Sequence, residues 1–292
     1  MSDYKPNISI SRLDTFEKCS RYDHFQVVQR LPVPQRKAAA SGEADHAQVE
    51  AWSMGKLKTS ELTGAAAVVA QYYPLPMQEG VRIEEVFSID YAGGVLHGKI
   101  DLSTTRDVKL WGSRAIIPKG LPRVTDLKTT SSLRWAKTAD ELDDNRQLLA
   151  YVRAKFPADP LVEVSQIVVE RASPYPAQQI VRIVGPSAVS EREEYDRTVV
   201  QTMLRSRKAK DALDLAPAPN PKDCKNWYGE RCPFYDQCKG REERLLSGQS
   251  TGDGAYNGSV SQLLESAWAE AHHDGRGGEG TRAALDSIAA RV

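Results

Sequence analysis

The chain has 292 residues, with 39 basic and 39 acidic side chains and four cysteines. This length predicts about two domains, or one elaborated domain, and it suffices for a core that folds without disulfides or metals. No apolar run approaches the ~20 residues of a membrane helix, and the first residues lack a signal-peptide pattern, so we expect a cytoplasmic protein without membrane contact. Zero net charge argues against a protein that coats a polyanion, but it allows a basic patch in one cleft.

Two helices are predicted in the first 70 residues, over 9–30 and 43–70. The first shows apolar residues at helical spacing: Leu13, Phe16, Tyr22 and Phe25. Prolines follow both helices and end them. Further helices are predicted at 138–156 and 188–213.

Five strands are predicted at 81–91, 95–102, 123–129, 162–170 and 179–184. The first strand alternates, so that Val81, Ile83, Phe87, Ile89 and Tyr91 share one face. The order is helices, three strands, a helix, a strand pair and a helix. It predicts a mixed α/β or α+β domain with a small central sheet flanked by helices.

The character of the chain changes at Ala216, where a proline-rich linker leads into a cysteine segment that ends near residue 240. Beyond about residue 247 the chain is rich in glycine and serine, and we expect a flexible tail with one short helix at 259–272. The predicted organisation is therefore one domain over 1–246 and a tail over 247–292.

Two carboxylates and a lysine lie at the ends of neighbouring predicted strands. Asp126 and Lys128 point to the same side because strand side chains alternate, and Asp101 lies near the end of the preceding strand. Two acids a few ångströms apart repel each other unless a cation separates them, and oxygen ligands suit Mg²⁺ or Mn²⁺. The alternative is that both acids are turn formers and that Lys128 is a solvated charge.

Other polar residues gain interest from their positions. Glu85 lies on the apolar face of its strand, where a lone carboxylate is costly, unless a one-residue shift places Glu84 inside instead. His46 follows Gly42 in a GxxxH pattern; the alternative is a packed or surface histidine. A further pair shares one face of the helix at 138–156: Gln147 and Tyr151.

Three cysteines, Cys224, Cys232 and Cys238, follow the spacing C-x7-C-x5-C, and Cys19 lies far upstream. Four thiolates can hold Zn²⁺ or an iron–sulfur cluster, and such a site would join the two ends of the domain as a staple. The absence of a CxxC spacing disfavours zinc. Buried or incidental thiols are the alternative.

Together these residues resemble the RecB-like branch of the PD-(D/E)XK nuclease superfamily, in particular its iron–sulfur members. Similar proteins are the CRISPR-associated adaptation nucleases, the AddB nuclease domain and phage exonucleases. The resemblance spans about residues 8–240 in family order. It is carried by ISISRLDTFEKCSRY (8–22), Gly42 to His46, GKID ending at Asp101, DLKT (126–129), QLLAY (147–151) and the three late cysteines.

The resemblance implies a restriction-endonuclease-like core and metal-assisted hydrolysis of a phosphodiester. It implies that His46, Asp101, Asp126 and the Leu127 carbonyl bind Mg²⁺ or Mn²⁺, and that Lys128 positions the attacking water. Gln147 and Tyr151 would contact the DNA backbone or support the site, and Glu85 matches the family's acidic position approximately. An iron–sulfur cluster, 4Fe–4S in type, would be held by the four cysteines: Cys19, Cys224, Cys232 and Cys238.

The stretch 102–125 carries five basic residues and one acid: Arg106, Lys109, Arg114, Lys119 and Arg123 against Asp107. It is either a contact to the DNA backbone or a solvated turn.

The leading hypothesis is a metal-dependent DNA exonuclease in recombination, repair or phage DNA metabolism, acting on single- or double-stranded ends in a bacterial or phage-infected cytoplasm. A recombination protein is a candidate partner. The alternatives are an inactive nuclease fold that binds DNA or serves as a scaffold, and a zinc-stabilised binding protein.

Overall fold

The computed structural model of the chain describes residues 6–33, 37–215, 224 and 231–239. The chain divides into two compact units, Met1–Ala209 and Lys210–Val292. The predicted domain boundary at residue 246 and the predicted helix at 259–272 lie outside the described residues. Among the described helices, none combines the length and the apolar character that a bilayer-spanning helix needs.

A six-stranded mixed sheet forms the centre of the first unit. Its strands are β1 (Asn7–Ile8), β2 (Val81–Tyr91), β3 (Gly94–Thr104), β4 (Arg123–Thr130), β5 (Val162–Glu170) and β6 (Ala177–Val184). The strand order is β1-β3-β4-β5-β6, and β2 pairs with β3. The pairs β1–β3 and β4–β5 are parallel, whereas the other pairs are antiparallel. The predicted fold class, a mixed α/β domain with a small central sheet and flanking helices, is confirmed.

The helices of the first unit are α1 (Ile10–Lys18), α2 (Ser20–Asp23), α3 (Lys37–Ser53), α4 (Gly64–Val69), α5 (Arg146–Lys155) and α6 (Pro186–Ser206). A π-helical turn spans His24–Val28, and single 3₁₀ turns span Thr59–Glu61, Leu133–Trp135 and Asp140–Leu142; another, Ala212–Asp214, lies in the second unit. The predicted helix at 9–30 is interrupted at Cys19, whose backbone is extended. The predicted helix at 43–70 is likewise two helices, α3 and α4, joined through one 3₁₀ turn.

The sheet is covered on both faces, and each face has its own core. On the first face, residues of α3 and α4 pack against β3, β4 and β5: Trp52, Val69, Leu102, Leu127 and Ile167. On the second face, residues of α5 pack against the same strands: Leu148, Tyr151, Ile100, Val124 and Val164. A strand that is buried on both faces reads as a continuous apolar run, which explains the sequence VEVSQIVVE of β5.

The basic stretch between β3 and β4 is held against the sheet. Arg123 is buried, forms an ion pair with the buried Glu163 and donates to the carbonyl of Ile116. Arg106 forms an ion pair with Asp159. These two of the five basic residues therefore have structural partners, and a role in DNA contact stays a prediction for the three exposed ones: Lys109, Arg114 and Lys119.

Candidate metal centre

Three potential metal ligands from three elements meet in the first unit. His46 of α3, Glu84 of β2 and Asp101 of β3 each offer one ligand atom, and these atoms all lie within 4.8 Å of one another. One imidazole nitrogen and two carboxylate oxygens suit a divalent cation such as Mg²⁺ or Mn²⁺. The residues present therefore fit the predicted kind of ion.

Glu84 enters this group because β2 changes its facing at this residue. Ile83 packs on the first face of the sheet, whereas Phe87 packs on the second, although residues separated by an even number should share a face. The φ angle of Glu84 is 52°, and its pairing with β3 is interrupted there. The prediction that the apolar residues of β2 share a single face is therefore wrong.

Glu85, the acid that the alternation selected, lies elsewhere. Its carboxylate forms an ion pair with Lys155 of α5 and accepts a hydrogen bond from Ser103 at 3.3 Å. The structure does not bring Glu85 to His46 and Asp101. The one-residue alternative, with Glu84 inside, describes the observed arrangement.

Two buried acids lie side by side on neighbouring strands. Asp101 Oδ2 accepts a hydrogen bond from the Leu127 amide at 2.7 Å, and Asp126 Oδ2 accepts one from Gln166 Nε2 at 3.0 Å. Burial, together with the negative charge of Asp126, raises the pKa of Asp101 to about 7. A bound cation would offset this repulsion, which is the reason to expect one here.

Leu127 thus contacts the site through its N–H, which holds Asp101 in place. The metal-binding role of its carbonyl, which the family resemblance implies, stays a prediction.

The glycine of the GxxxH pattern lets α3 approach the sheet. A Cβ atom at Gly42 would lie 2.9 Å from Thr129 Oγ1, closer than van der Waals contact allows. His46 follows one helical turn later, and its Nδ1 lies 3.6 Å from Glu84 Oε1. Burial opposes the imidazolium form, but Glu84 and Asp101 outweigh it and raise the pKa of His46.

Lys99 of β3 forms an ion pair with Glu84 from the exposed side of the site. Burial disfavours the charged form of Glu84, but hydrogen bonds from His46 and Lys99 outweigh this effect and lower the pKa of its carboxyl. Glu84 therefore stays ionised at neutral pH and is available as a ligand.

Lys128 connects the acids with helix α5. Its Nζ lies 2.9 Å from Asp126 Oδ1 and donates to Gln147 Oε1 at 2.9 Å, and Gln147 Nε2 donates to Tyr151 Oη at 2.5 Å. Burial opposes the ammonium form, but Asp126 and Asp101 raise the pKa of Lys128. The structure thus brings Gln147 and Tyr151 to the predicted site, and Lys128 is an ammonium group at its edge.

Tyr151 is itself held from the sheet. Its ring meets that of Phe87 edge-to-face at a centroid distance of 5.9 Å. Phe87 lies directly opposite Gly98 across β2 and β3, where an added Cβ would be 2.5 Å from the Phe87 ring. The glycine of the GKID segment therefore makes room for the ring that supports Tyr151.

The sequence named Glu84 only as the alternative to Glu85, and it did not indicate Lys99 as the partner of Glu84 or Gln166 as a donor to Asp126. Gln166 left one signal, since it is a polar residue inside the β-branched run of β5. Lys99 lies two residues before Asp101 in the GKID segment, but in sequence it resembles any exposed strand lysine.

The cysteines divide between the two units. Cys19 of the first unit is buried, whereas Cys224, Cys232 and Cys238 of the second are partly exposed. The Cys232 N–H donates to the Cys224 carbonyl at 3.0 Å, so these two residues are adjacent. A cluster or zinc site that joins all four stays a prediction.

No protein-family model and no curated protein matches the chain. Among solved structures, a provisionally assigned exonuclease from Eubacterium rectale is 14% identical, with a TM-score of 0.46, and the match covers 88% of this chain and 92% of that one. A protein designated SSO0001 is 12% identical, with a TM-score of 0.36, and the match covers 70% of this chain and 78% of that one. Because both TM-scores are below 0.5, neither similarity carries an inference about this chain.

Proposed function

We propose that the chain is a divalent-metal-dependent DNA exonuclease that acts in recombination, repair or phage DNA metabolism. The observation that carries this proposal is the convergence of His46, Glu84 and Asp101 beside Asp126 and Lys128. Carboxylates and an imidazole next to a lysine provide what phosphodiester hydrolysis needs: a site for a cation and a cationic donor for the phosphate.

The contacts of each residue indicate its role in the proposed reaction. His46, Glu84 and Asp101, with Asp126 adjacent, would hold Mg²⁺ or Mn²⁺, which when bound supplies Lewis-acid stabilisation of charge on the phosphate. Lys128 is protonated and therefore acts as a hydrogen-bond donor that orients the attacking water or the phosphate oxygens. Gln147 and Tyr151 fix the Lys128 ammonium group through the chain of hydrogen bonds described above.

An assay on DNA ends tests the exonuclease activity. Anaerobically purified full-length protein with Mn²⁺ is given end-labelled linear DNA, single- and double-stranded, and closed circles. We expect linear DNA to be degraded and closed circles to persist, and Asp101→Asn to abolish degradation. Asp140→Asn is the matched control because this aspartate is 88% exposed and lies outside the site.

Cleavage of closed circles would make the protein an endonuclease instead. If the wild-type protein binds Mn²⁺ and DNA but degrades neither substrate, the proposal fails in favour of an inactive nuclease fold that binds DNA.

We also infer a 4Fe–4S cluster held by the four cysteines: Cys19, Cys224, Cys232 and Cys238. Three of them fall within 15 residues of a chain that has only four, and two are adjacent in the second unit. Thiolates are the ligands of such clusters. Elemental analysis of anaerobically purified protein should find iron and acid-labile sulfide, and zinc in their place would contradict this inference.

A further inference from the structure

One tryptophan in the segment that follows β4 projects into solvent. The side chain of Trp135 is 67% exposed, although tryptophan is a residue that buries most of its surface in folded proteins. The guanidinium of Arg134 lies 4.6 Å from the centre of its ring. The exposed pair thus presents an aromatic face and a positive charge together.

The backbone below this pair is fixed to the sheet. Both residues belong to the 3₁₀ turn Leu133–Trp135, where the Leu133 amide donates to Glu170 Oε2 of β5 at 3.2 Å. The Ser132 amide donates to Thr130 Oγ1 at the end of β4 at 3.3 Å, and the Trp135 amide donates to the Ser132 carbonyl at 3.2 Å. The ring therefore stands on a short, tied segment.

The pair follows directly from the strand that carries Asp126 and Lys128. Trp135 lies seven positions after Lys128, and a fully extended chain of that length spans at most ~24 Å between the two Cα atoms. At the rise of ~3.4 Å per nucleotide in B-form DNA, this distance corresponds to no more than about seven nucleotides. The separation of these two Cα atoms is therefore no greater than the length of a DNA strand of a few nucleotides.

Two cations lie beside Trp135 in sequence. The segment 131–139 contains Arg134 and Lys137 and no acidic residue. Four acids follow at 140–144, of which Asp140 and Asp143 pair with Arg182, Asp144 pairs with Arg192, and Glu141 accepts hydrogen bonds from Thr138. In the part of the chain that the structure describes, neither Arg134 nor Lys137 forms an ion pair with an acid. A protein interface of this kind would place further exposed apolar side chains beside the tryptophan. Here the residues on either side of it are Arg134 and Ala136, and Leu133 of the same turn is partly buried.

We propose that Trp135, backed by Arg134, is a stacking platform for an unpaired base of a single-stranded DNA end that leads to the metal centre. Base stacking on an aromatic ring accepts any base and needs a strand whose bases are not paired. The proposal rests on the proposed nuclease function and adds to it a substrate class, single-stranded ends. It also assigns a binding role to residues that the catalytic contacts do not include.

Binding measured apart from cleavage tests the platform. The full chain is titrated with a labelled single-stranded oligonucleotide and with a blunt duplex in Ca²⁺, and gels verify that the DNA stays intact. Trp135→Ala should weaken single-strand binding by about 10-fold and duplex binding much less. Trp135→Phe should retain most of the affinity. Tyr195→Ala is the matched control because Tyr195 is also an exposed ring with an arginine, Arg192, 4.7 Å from its centre.

A second titration identifies the contacted base. A series of oligonucleotides carries one abasic nucleotide at successive positions from the end. We expect the wild-type protein to bind one member of the series more weakly than the others, the one that lacks the stacked base. Trp135→Ala should bind this oligonucleotide and the intact one with equal affinity, because the ring on which the base stacks is already absent.

Unchanged single-strand affinity in Trp135→Ala, or an equal loss for the duplex, would overturn the platform even if the protein hydrolyses DNA. Single-strand binding that depends on Trp135 in a protein without hydrolysis would support the platform and refute the nuclease function.

Discussion

Glu84 reaches the candidate metal centre through an unusual backbone conformation. A non-glycine residue with a φ of 52° costs on the order of 1–3 kcal/mol, and such strain persists where surrounding contacts hold it. Here the ion pairs with Lys99 and His46 hold the side chain. The strain places a carboxylate that regular alternation would have directed away from the site.

Replacing each of the two neighbouring glutamates by glutamine tests whether Glu84 or Glu85 belongs to the metal site. Glu84→Gln should weaken Mn²⁺ binding by at least about 10-fold. Changing a residue that only hydrogen-bonds a metal ligand already lowers metal affinity by about 10-fold, and Glu84 is itself a proposed ligand. Glu85→Gln is the matched control and should leave the affinity within about 2-fold, since Glu85 contacts Lys155 and Ser103. Calorimetric titration of both variants with Mn²⁺ measures the difference in affinity. A larger loss in Glu85→Gln than in Glu84→Gln would show that Glu85 is the ligand.

Asp101 makes metal binding depend on pH. Its pKa of about 7 lies above the ordinary value of an aspartate, so the metal-free fold holds a proton that the unfolded chain has lost. That proton stabilises the metal-free fold at low pH, and this stabilisation is lost as the pH rises towards 7. A cation must displace the proton, and the raised pKa of His46 adds a second competing proton.

Mn²⁺ affinity should therefore increase as the pH rises through about 7, because the protons on Asp101 and His46 must leave before the cation binds. Thermal shifts on Mn²⁺ addition across this rise in pH measure the effect. Asp101→Asn should reduce both the affinity and its pH dependence; an affinity independent of pH in the wild-type protein would refute the assigned proton.

The Phe87 ring is one of the contacts through which β2 and β3 support helix α5. Gly98→Ala should lower the free energy of unfolding by ~1–3 kcal/mol, because its methyl group would overlap the Phe87 ring. In a Phe87→Ala background the same change should be neutral or stabilising, since alanine restricts the unfolded chain more than glycine does. Urea denaturation of the four proteins in this cycle gives the coupling, and additive effects would show that the ring and the glycine are independent.

The elements show where sequence information was sufficient. The strands β2 and β5 match the predicted 81–91 and 162–170, because alternation and β-branched runs are strong local signals. The predicted helix at 9–30 is interrupted at Cys19, whose extended backbone has no signal in the local sequence. The two-residue strand β1 is too short to show a sequence pattern. The positive φ of Glu84 has no local signal either, since glycine or asparagine would have marked it and glutamate does not.

The candidate site also contains residues that the sequence indicated and others that only the folded structure explains. Strand ends drew attention to Asp101, Asp126 and Lys128, and the family resemblance implied that His46, Gln147 and Tyr151 join them. The structure brings these six residues together. Gly42 and Gly98 gain their physical reasons only in three dimensions, as space for Thr129 and for Phe87. Partners across the sheet, such as Gln166, depend on strand pairing that a single sequence does not specify.

At the scale of the whole first unit, a buried ionic network joins the N-terminal helix to the site-bearing helix. Asp196 of α6 is fully buried and accepts hydrogen bonds from Tyr91 of β2 and Arg146 of α5, each at 2.9 Å. Arg146 also pairs with Asp14 and Glu17 of α1. It directly precedes Gln147, so the network fixes the start of the helix that supports Lys128.

Asp196→Asn should therefore lower the free energy of unfolding by ~3–5 kcal/mol, because it leaves the buried Arg146 without its inner charge partner. Glu194→Gln is the matched control, since this residue is 74% exposed and pairs with Arg197 on the helix surface; we expect at most ~0.5 kcal/mol. Equal effects in urea denaturation would show that the network contributes no more than a surface pair.

The proposed function requires that the site around Asp101 and Lys128 hydrolyse DNA with the help of a divalent cation. The most direct measurement is the initial rate of hydrolysis of end-labelled single-stranded DNA as Mn²⁺ is titrated, for the wild-type protein, Lys128→Ala and Lys155→Ala. We expect a rate that requires Mn²⁺, falls at least about 100-fold in Lys128→Ala and is retained in Lys155→Ala. Hydrolysis without a divalent cation, or full activity in a folded Lys128→Ala protein, would show that this site does not carry out the reaction.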